Sequence, residues 1–542
     1  MPVSVPVGGG PVEHVEVRRG EYHDSVTLML AGRAVGGVAG VERVLVAMAT
    51  ELNAALLAEL GYAARPEAGP GDLIVALTSD DEACETAALH ALADALTPAA
   101  PLVSPDGQPG GSITAPGHSG PNHPAPRTTA AALGRTSAPI TLISTPGLAS
   151  VAEAMESLEN GASPIIFSDN IPIHHEVRLK EEARRRGLLV MGPDCGTVVL
   201  HGTGLAFANI TRPGPISLVA ASGTGAQELM ALLDAANTGI HHCLGVGGRD
   251  LTEQVAGRST LAALTALAED PETELIAVVS KPPHPAIATR IQEHAATLGK
   301  PVHFAFVGTE HPTLTESAER ILTALGKEVP RAWPQWAGAA DAAEGRAPTV
   351  RGLFSGGTLR AEAEVALTRA EAEVALTRAG GRKIDNGKSG GWGEGESREP
   401  QESTEPQTAP FTFDLTDFGD DTYTRGRPHP MIDNTLRLRA VADAADDAGV
   451  GVLLLDVVLG RGAHADPAAE IAAAIAAARH RRPELAVAVS VCGTAGDPQG
   501  LVRQAEALAG AGAWVFLSNA EAAGAAARLA LGGLPDGAAE RP

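Results

Sequence analysis

Two short stretches put small residues where a chain can hold an anion. Ser222, Gly223, Thr224 and Gly225 follow the apolar run "ISLVAA" and open a helical pattern. Ser355, Gly356, Gly357 and Thr358 follow "VRGLF" and do the same. A helix N-terminus offers unpaired N–H groups and a partial positive charge. Glycines there let the backbone approach a phosphate or carboxylate closely. A lone turn of this kind reads equally well as a strand-to-helix connection capped by Ser or Thr. Two equivalent turns favour a pair of helix ends converging on one anion.

A second recurring feature is a Gly/Asp turn after a strand. Gly247, Gly248, Arg249 and Asp250 form one; "GDDTYTRGRPHPMID" forms the other, with Arg425, Arg427, His429 and Asp433. Arginines there can fork onto a carboxylate or phosphate, and His429 can move a proton. Arg249–Asp250 also reads as a surface ion pair worth little. His464, in "GRGAHADP", follows the run "VLLLDVVLG" and so sits at a strand's carboxyl end, where open α/β sheets bind ligands. Asp194 and Cys195 in "MGPDCGT" are candidate substrate or cofactor contacts, with Cys195 read as a small buried residue rather than a nucleophile. The four cysteines are far apart, so neither a disulfide framework nor a structural zinc site is expected. His174 and His175, at a helix start, are not read as ligands, and no bound metal is expected.

These residues need elements to position them. The chain has 542 residues, room for three or four domains of roughly 100–200 residues each. It is 44% hydrophobic and 20% charged, an ordinary globular balance. Its net charge of −24 argues against nucleic acid or an anionic membrane as partner. No apolar run is long enough to span a bilayer, no signal-peptide pattern opens the chain, and a cytoplasmic location is expected. A Pro/Gly-rich linker at 101–137 and an insert at 380–410 cannot bury enough apolar surface to fold alone. They separate an α/β unit at 12–98, a second at 138–213, a third at 214–326 and a fourth at 349–531. Short apolar strands alternating with helices of 10–15 residues argue for parallel sheets.

The third and fourth units follow one plan. "GPISLVAASGTGAQELMALL" pairs with "PTVRGLFSGGTLRAEAEVAL", "HHCLGVGGRDL" with "FTFDLTDFGDDTYTRGRPHPMID", "ELIAVVS" with "GVLLLDVVLG", and "KPVHFAFVG" with "LAVAVSVCG". The ordered series indicates duplication. A literal repeat, "AEAEVALTR", occupies 361–369 and 370–378. Nine residues turn a helix by about 900°, so the second copy faces away from the first. It reads as an extension of one helix.

The segments "EYHDSVTLML", "MGPDCGT", "ASGTGAQE", "GVGGRDL", "LFSGGTL", "DDTYTRGRPHPMID" and "DVVLGRGAHADP" resemble the FdrA family, whose members are related to both subunits of succinyl-CoA synthetase. The resemblance runs nearly end to end, apart from the linker and insert. It implies a Rossmann-like CoA-binding-type domain at 138–213 and two flavodoxin-like ligase domains at 214–326 and 349–531. In such synthetases two helices, one from each ligase domain, aim their N-termini at the phosphate of a phosphohistidine. The matching helices start at Ser222–Gly225 and Ser355–Thr358.

The departures bear on function. The phosphohistidine loop of the synthetases, Gly-His-Ala-Gly-Ala, is replaced by "GTEHPTLTES", where His311 lacks flanking glycines. The ATP-grasp domain has no counterpart, and the Gly-rich first turn of the CoA-binding domain is not visible. The resemblance implies, first, acyl-CoA ligase chemistry through an acyl phosphate, with CoA use left open and no ATP use by this chain alone. Second, some family members are assigned to oxamate carbamoyltransferase, a multi-subunit enzyme of allantoin catabolism that converts oxalurate and phosphate to oxamate and carbamoyl phosphate. A third reading is a non-catalytic subunit that organises partner chains. The expected partners are a small anionic substrate and other subunits of a hetero-oligomer.

Overall fold

The computed structural model describes residues 3–5, 11–23, 25–62, 67–69, 71–97, 126–145, 147–337, 347–378, 411–424 and 427–533. Most of the Pro/Gly-rich linker, the insert 380–410 and Arg425 lie outside the described residues.

The two anion turns sit on two sheets with one strand order. In the first, Val302–Phe306, Leu275–Ser280, Ile216–Ala220 and Ile240–Gly245 run parallel in that spatial order. In the second, Ala486–Cys492, Val450–Val458, Thr349–Phe354 and Thr412–Asp417 repeat it, with Trp514–Phe516 added beyond Ala486–Cys492. Both sheets have the flavodoxin-like arrangement, in which the first strand of the unit lies inside and its neighbours flank it. Each segment pair matched in sequence occupies the same place in its sheet. Helices Gly223–Ala235 and Gly357–Arg378 follow the equivalent strands Ile216–Ala220 and Thr349–Phe354, so both start at the sheets' carboxyl ends.

The unit before them is smaller than expected. Ile140–Ile143 and Ser163–Ile166 pair in parallel, and Met191 bridges to Ile165. The hairpin Thr197–Leu200/Thr203–Ala206, assigned by sequence to that unit, instead extends the first six-stranded sheet by pairing antiparallel with Ile240–Gly245. The N-terminal unit departs further. Strands Val12–Arg18, Leu73–Ser79 and Val41–Met48 are antiparallel, not parallel. Its central strand buries Leu73, Val75 and Leu77 on one face, against the helices that carry Leu28 and Leu92. It buries Ile74 and Ala76 on the other, against Leu56 and Leu57. A strand covered on both faces reads as a continuous apolar run whatever its direction, so periodicity does not tell the two apart.

The literal repeat lies in the single helix Gly357–Arg378. The first copy buries Ala363, Val365 and Leu367, whereas in the second Ala372 and Glu373 are exposed, as the half-turn offset requires. Among the described residues no helix is long and apolar enough to cross a membrane.

Candidate functional site

The two duplicated helices meet head to head. Ser222 Oγ and Thr358 Oγ1 lie 2.6 Å apart, one at each N-terminus. A side-chain carbon on Gly225 would stand 2.8 Å from Thr358 Cγ2, and one on Gly356 would stand 2.7 Å from Thr224 Oγ1. Such separations are below van der Waals contact, so the junction requires glycine at both positions. It lines a cleft of about 1590 Å³ that also reaches Asp194, Cys195, Thr197, Gly247 and Gly248 from one side and Asp417, Gly419, Arg427, His429 and Asp433 from the other.

The donors divide unevenly. In the first helix Gly225 N–H donates to Ser222 Oγ at 3.1 Å, closing the cap. The N–H groups of Gly223 and Thr224 have no acceptor within their helix. Beside them Thr197 Oγ1 is buried without a hydrogen-bond partner and would stand 3.2 Å from a side-chain carbon on Gly223. In the second turn the buried Asp456 carboxylate accepts Ser355 N–H at 2.8 Å, Ser355 O–H at 2.9 Å and Gly356 N–H at 3.0 Å. Ser355, expected to grip the anion, is therefore held from behind. Arg437 pairs with the same carboxylate at 2.9 Å and compensates its burial. What remains open is the N–H of Gly357 and Thr358.

Lys281, missed by sequence reading, supplies the cation. A side-chain carbon on Gly357 would stand 2.7 Å from Lys281 Nζ and would collide with Asp417 Oδ2. Lys281 directly follows the strand Leu275–Ser280, so its signal was position at a strand's carboxyl end. Burial holds the Asp417 carboxyl above its ordinary range, against the opposing pull of Gly419 N–H and Lys281. His429 stands beside it: a side-chain carbon on Gly419 would lie 2.9 Å from His429 Nε2 and 3.1 Å from Asp417 Oδ1. Met431 N–H donates to His429 Nδ1 at 3.2 Å, so the neutral ring carries its proton on Nε2. Burial and the nearby Arg437 hold this imidazole down to about 4. At neutral pH it is a hydrogen-bond donor rather than a cation.

Several expected residues have other work. Arg249 donates to Ile171 O at 2.8 Å and pairs with Glu176 at 2.9 Å, outside the cleft lining. Asp250 is fully buried, where it accepts from Lys180 and from the first turn of helix Arg258–Glu269. Neither faces the cleft. His464 is also off the cleft; its Nε2 sits 3.3 Å from Glu470, which in turn binds Arg33 of the N-terminal unit. Its place is behind Glu470, which itself lines the cleft. Asp433 lines the cleft but accepts Thr435 N–H at 2.7 Å, opening a helix. The Cys195 thiol is buried, and burial pushes its titration far above the ordinary value, so it is inert. Arg425 lies outside the described residues.

His311 is not among the residues that line the cleft; its carbonyl accepts from Arg369, and its ring lies over Gly308. The N-terminal unit, by contrast, reaches the cleft: Met29, Gly32 and Arg33 line it, and Arg33 donates to Ile432 O at 2.8 Å.

Comparison with known proteins locates this geometry. Residues 11–108 match a family described as AllF, heavy metal-associated domain, and residues 353–529 match the CoA-ligase family. The uncharacterized protein YahF of Escherichia coli K12 is 32% identical over 526 residues, covering 92% of this chain and 95% of that protein. The α-subunit of the ADP-forming succinate–CoA ligase of Methanothermobacter thermautotrophicus is 30% identical over 161 residues, 28% of this chain and 52% of that subunit. The chain thus spans about half the length of that ligase subunit. Among solved structures, the dinucleotide-forming acetyl-coenzyme A synthetase 1 of Candidatus Korarchaeum cryptofilum, with phosphate and ADP, is 15% identical. It covers 72% of this chain and 82% of its own at a TM-score of 0.24, too low to transfer geometry.

Proposed function

The chain belongs to the family of the Escherichia coli protein YahF, and from that premise we propose that it transfers an acyl-type group to or from phosphate between the paired helix N-termini. It is a CoA-ligase-family relative of succinyl-CoA synthetase. The observation that carries the reading is the 2.6 Å contact between Ser222 and Thr358, which brings the open N–H groups of two helices to one point beside Lys281. That arrangement fits a phosphate dianion or an acyl phosphate.

Of the two group transfers implied by the FdrA resemblance, we favour carbamoyl transfer, because His311 does not line the cleft and lacks the glycines that flank the synthetases' phosphohistidine. In this reading phosphate rests on Gly223, Thr224, Gly357, Thr358 and Lys281. One phosphate oxygen attacks the ureido carbonyl carbon of the substrate, whose carboxylate pairs with Arg427. His429 Nε2–H donates to the oxygen on which charge develops. The carbon–nitrogen bond breaks, and the leaving nitrogen takes the proton given up by phosphate, carried by Asp417. The products are carbamoyl phosphate and the amide.

A second reading, thioester formation with CoA as substrate, draws on a third helix start. Gly147, Leu148 and Ala149 line the same cleft, and Gly147 opens its helix without a side-chain cap. In both readings partner subunits complete the enzyme. The test is to supply the chain and its co-purifying partners with oxalurate and phosphate, and separately with ATP, CoA and a carboxylic acid. Carbamoyl phosphate in the first mixture supports the proposal; thioester in the second with no carbamoyl phosphate in the first overturns it.

A further inference from the structure

Neighbouring residues on a strand point to opposite faces, so adjacent histidines do not ordinarily converge. His241 and His242 do. The strand Ile240–Gly245 slips against Ile216–Ala220, with Ile240 opposite Ile216 but His242 opposite Ser217. One extra residue in a strand re-aims the side chains around it. The two rings lie 4.2 Å apart between centroids. His201, in the turn of the hairpin Thr197–Leu200/Thr203–Ala206, brings a third ring to 5.0 Å and 4.5 Å from them. Each histidine offers a nitrogen within 4.8 Å of one on each of the others.

A carboxylate stands at the same point. Asp270 Oδ2 is 3.6 Å from His241 Nε2 and 3.8 Å from His242 Nε2, and Glu272 Oε2 is 3.2 Å from His241 Nε2. His241 is only 7% exposed, yet its Nε2 has no hydrogen-bond partner. Three imidazoles and one carboxylate are a donor set and number that suit a tetrahedral zinc site.

We propose that His201, His241, His242 and Asp270 bind a divalent transition metal, with Zn²⁺ the best fit. Binding asks for one rearrangement. His201 N–H donates to His242 Nδ1 at 3.2 Å, so the metal-free ring carries its proton on Nε2. Coordination through Nε2 moves that proton to Nδ1, and the His201 peptide turns to water, where this exposed turn already sits. The site is structural rather than catalytic. Gly245, which lines the cleft, is four residues further along the same strand, about 13 Å away. The metal would instead tie the hairpin turn to the loop that ends helix Arg258–Glu269.

The test uses the full chain stripped with chelator, then titrated with Zn²⁺ or Co²⁺ alone. The proposal expects a single Zn²⁺ per chain, a rise in Tm on binding, and visible Co²⁺ bands of tetrahedral character. His201→Asn, at an exposed left-handed position that Asn tolerates, should fold normally and bind Zn²⁺ at least about tenfold more weakly. His241→Ala should abolish the Co²⁺ bands, and His174→Ala, at the separate His174–His175 pair, should leave them intact. No uptake of Zn²⁺ at micromolar concentration by the stripped chain would overturn the proposal. So would uptake unchanged in both His201→Asn and His241→Ala.

Discussion

Ser222 Oγ and Thr358 Oγ1 share a hydrogen bond of 2.6 Å across 136 residues of sequence, joining the first turns of two helices from two different sheets. Asn519 fixes the same pair of helices deeper in. Its backbone N–H donates to Glu228 at 2.9 Å, and its side chain donates to Glu362 and to Leu359 O, each at 2.9 Å. The helix ends are thus held together before any ligand arrives, which is what electrostatic preorganisation requires.

The closeness of the junction gives the first prediction. Gly356→Ala places a methyl 2.7 Å from Thr224 Oγ1 and 2.8 Å from Thr224 Cβ, so one helix must back away. Overpacking of this kind costs about 1–3 kcal/mol. Phosphate affinity by calorimetry should fall at least about tenfold, with a Tm drop of a few degrees. Unchanged affinity would show that the anion does not sit at this junction.

Lys281 gives the second. Its ammonium is a charged donor beside open N–H groups, and such bonds are worth about 1.5–3 kcal/mol. Lys281→Met should therefore weaken phosphate binding by roughly 10- to 150-fold. Lys281 also pulls the Asp417 carboxyl down against burial, so its removal raises that carboxyl further. Any limb of the pH–rate profile that reports Asp417 should move to higher pH in the variant. A profile that only drops in height, without shifting, would remove Asp417 from proton transfer.

Much of this is legible in the unfolded sequence. The pairing of four segments across 214–326 and 349–531 implies two sheets of one strand order, because strand, turn and helix signals recur in fixed sequence. The turn at Ser222 reads as an anion cradle from its small residues and its place after a strand, and folding leaves two of its donors open. Its twin reads the same way and also keeps two, at Gly357 and Thr358, while the donors of Ser355 and Gly356 are taken. Nothing in "LFSGGTL" reveals that Asp456, about a hundred positions on, takes the donors of Ser355 and Gly356. Arg249 and Asp250 mislead for the same reason: local sequence shows which groups can bind an anion, and tertiary packing decides which are already bound. "GIHHCLG" passes as a plain strand because the slip that gathers its histidines is set by the neighbouring strand.

The buried carboxyls give the third prediction. Glu228 and Glu362 are each the sixth residue of their helices and fully buried. Burial first, and then the charge of Glu362, raises Glu228 well above its ordinary range; burial lifts Glu362 to about 7. Unfolded, such a carboxyl titrates near ~4.3. Between those values the folded state holds more protons, so stability falls as pH rises through the window, by about 1.4 kcal/mol per pH unit for one proton. Glu362→Gln cannot titrate. The difference in denaturant stability between variant and parent should move in the variant's favour from pH 5 to pH 7, and a pH-independent difference would place the proton elsewhere.

His429 gives the fourth prediction, and its sign is opposite. Burial and Arg437 hold it to about 4, whereas the unfolded imidazole titrates near ~6.5. Between those values the unfolded chain holds the extra proton, so stability is fully present above about 6.5 and is lost as pH falls towards 4. His303, held to about 4 by burial and Arg320, adds to the same acid loss. In catalysis the consequence is a ring that stays neutral through the working range and only donates. His429→Gln can keep a donor near Nε2, whereas His429→Phe keeps bulk alone. If the role is donation to a developing oxyanion, the Phe variant should lose roughly 10²–10³ in kcat and the Gln variant less. Neither should shift the pH–rate profile above pH 5. A basic or neutral limb that disappears in both variants would instead make His429 the proton carrier in place of Asp417.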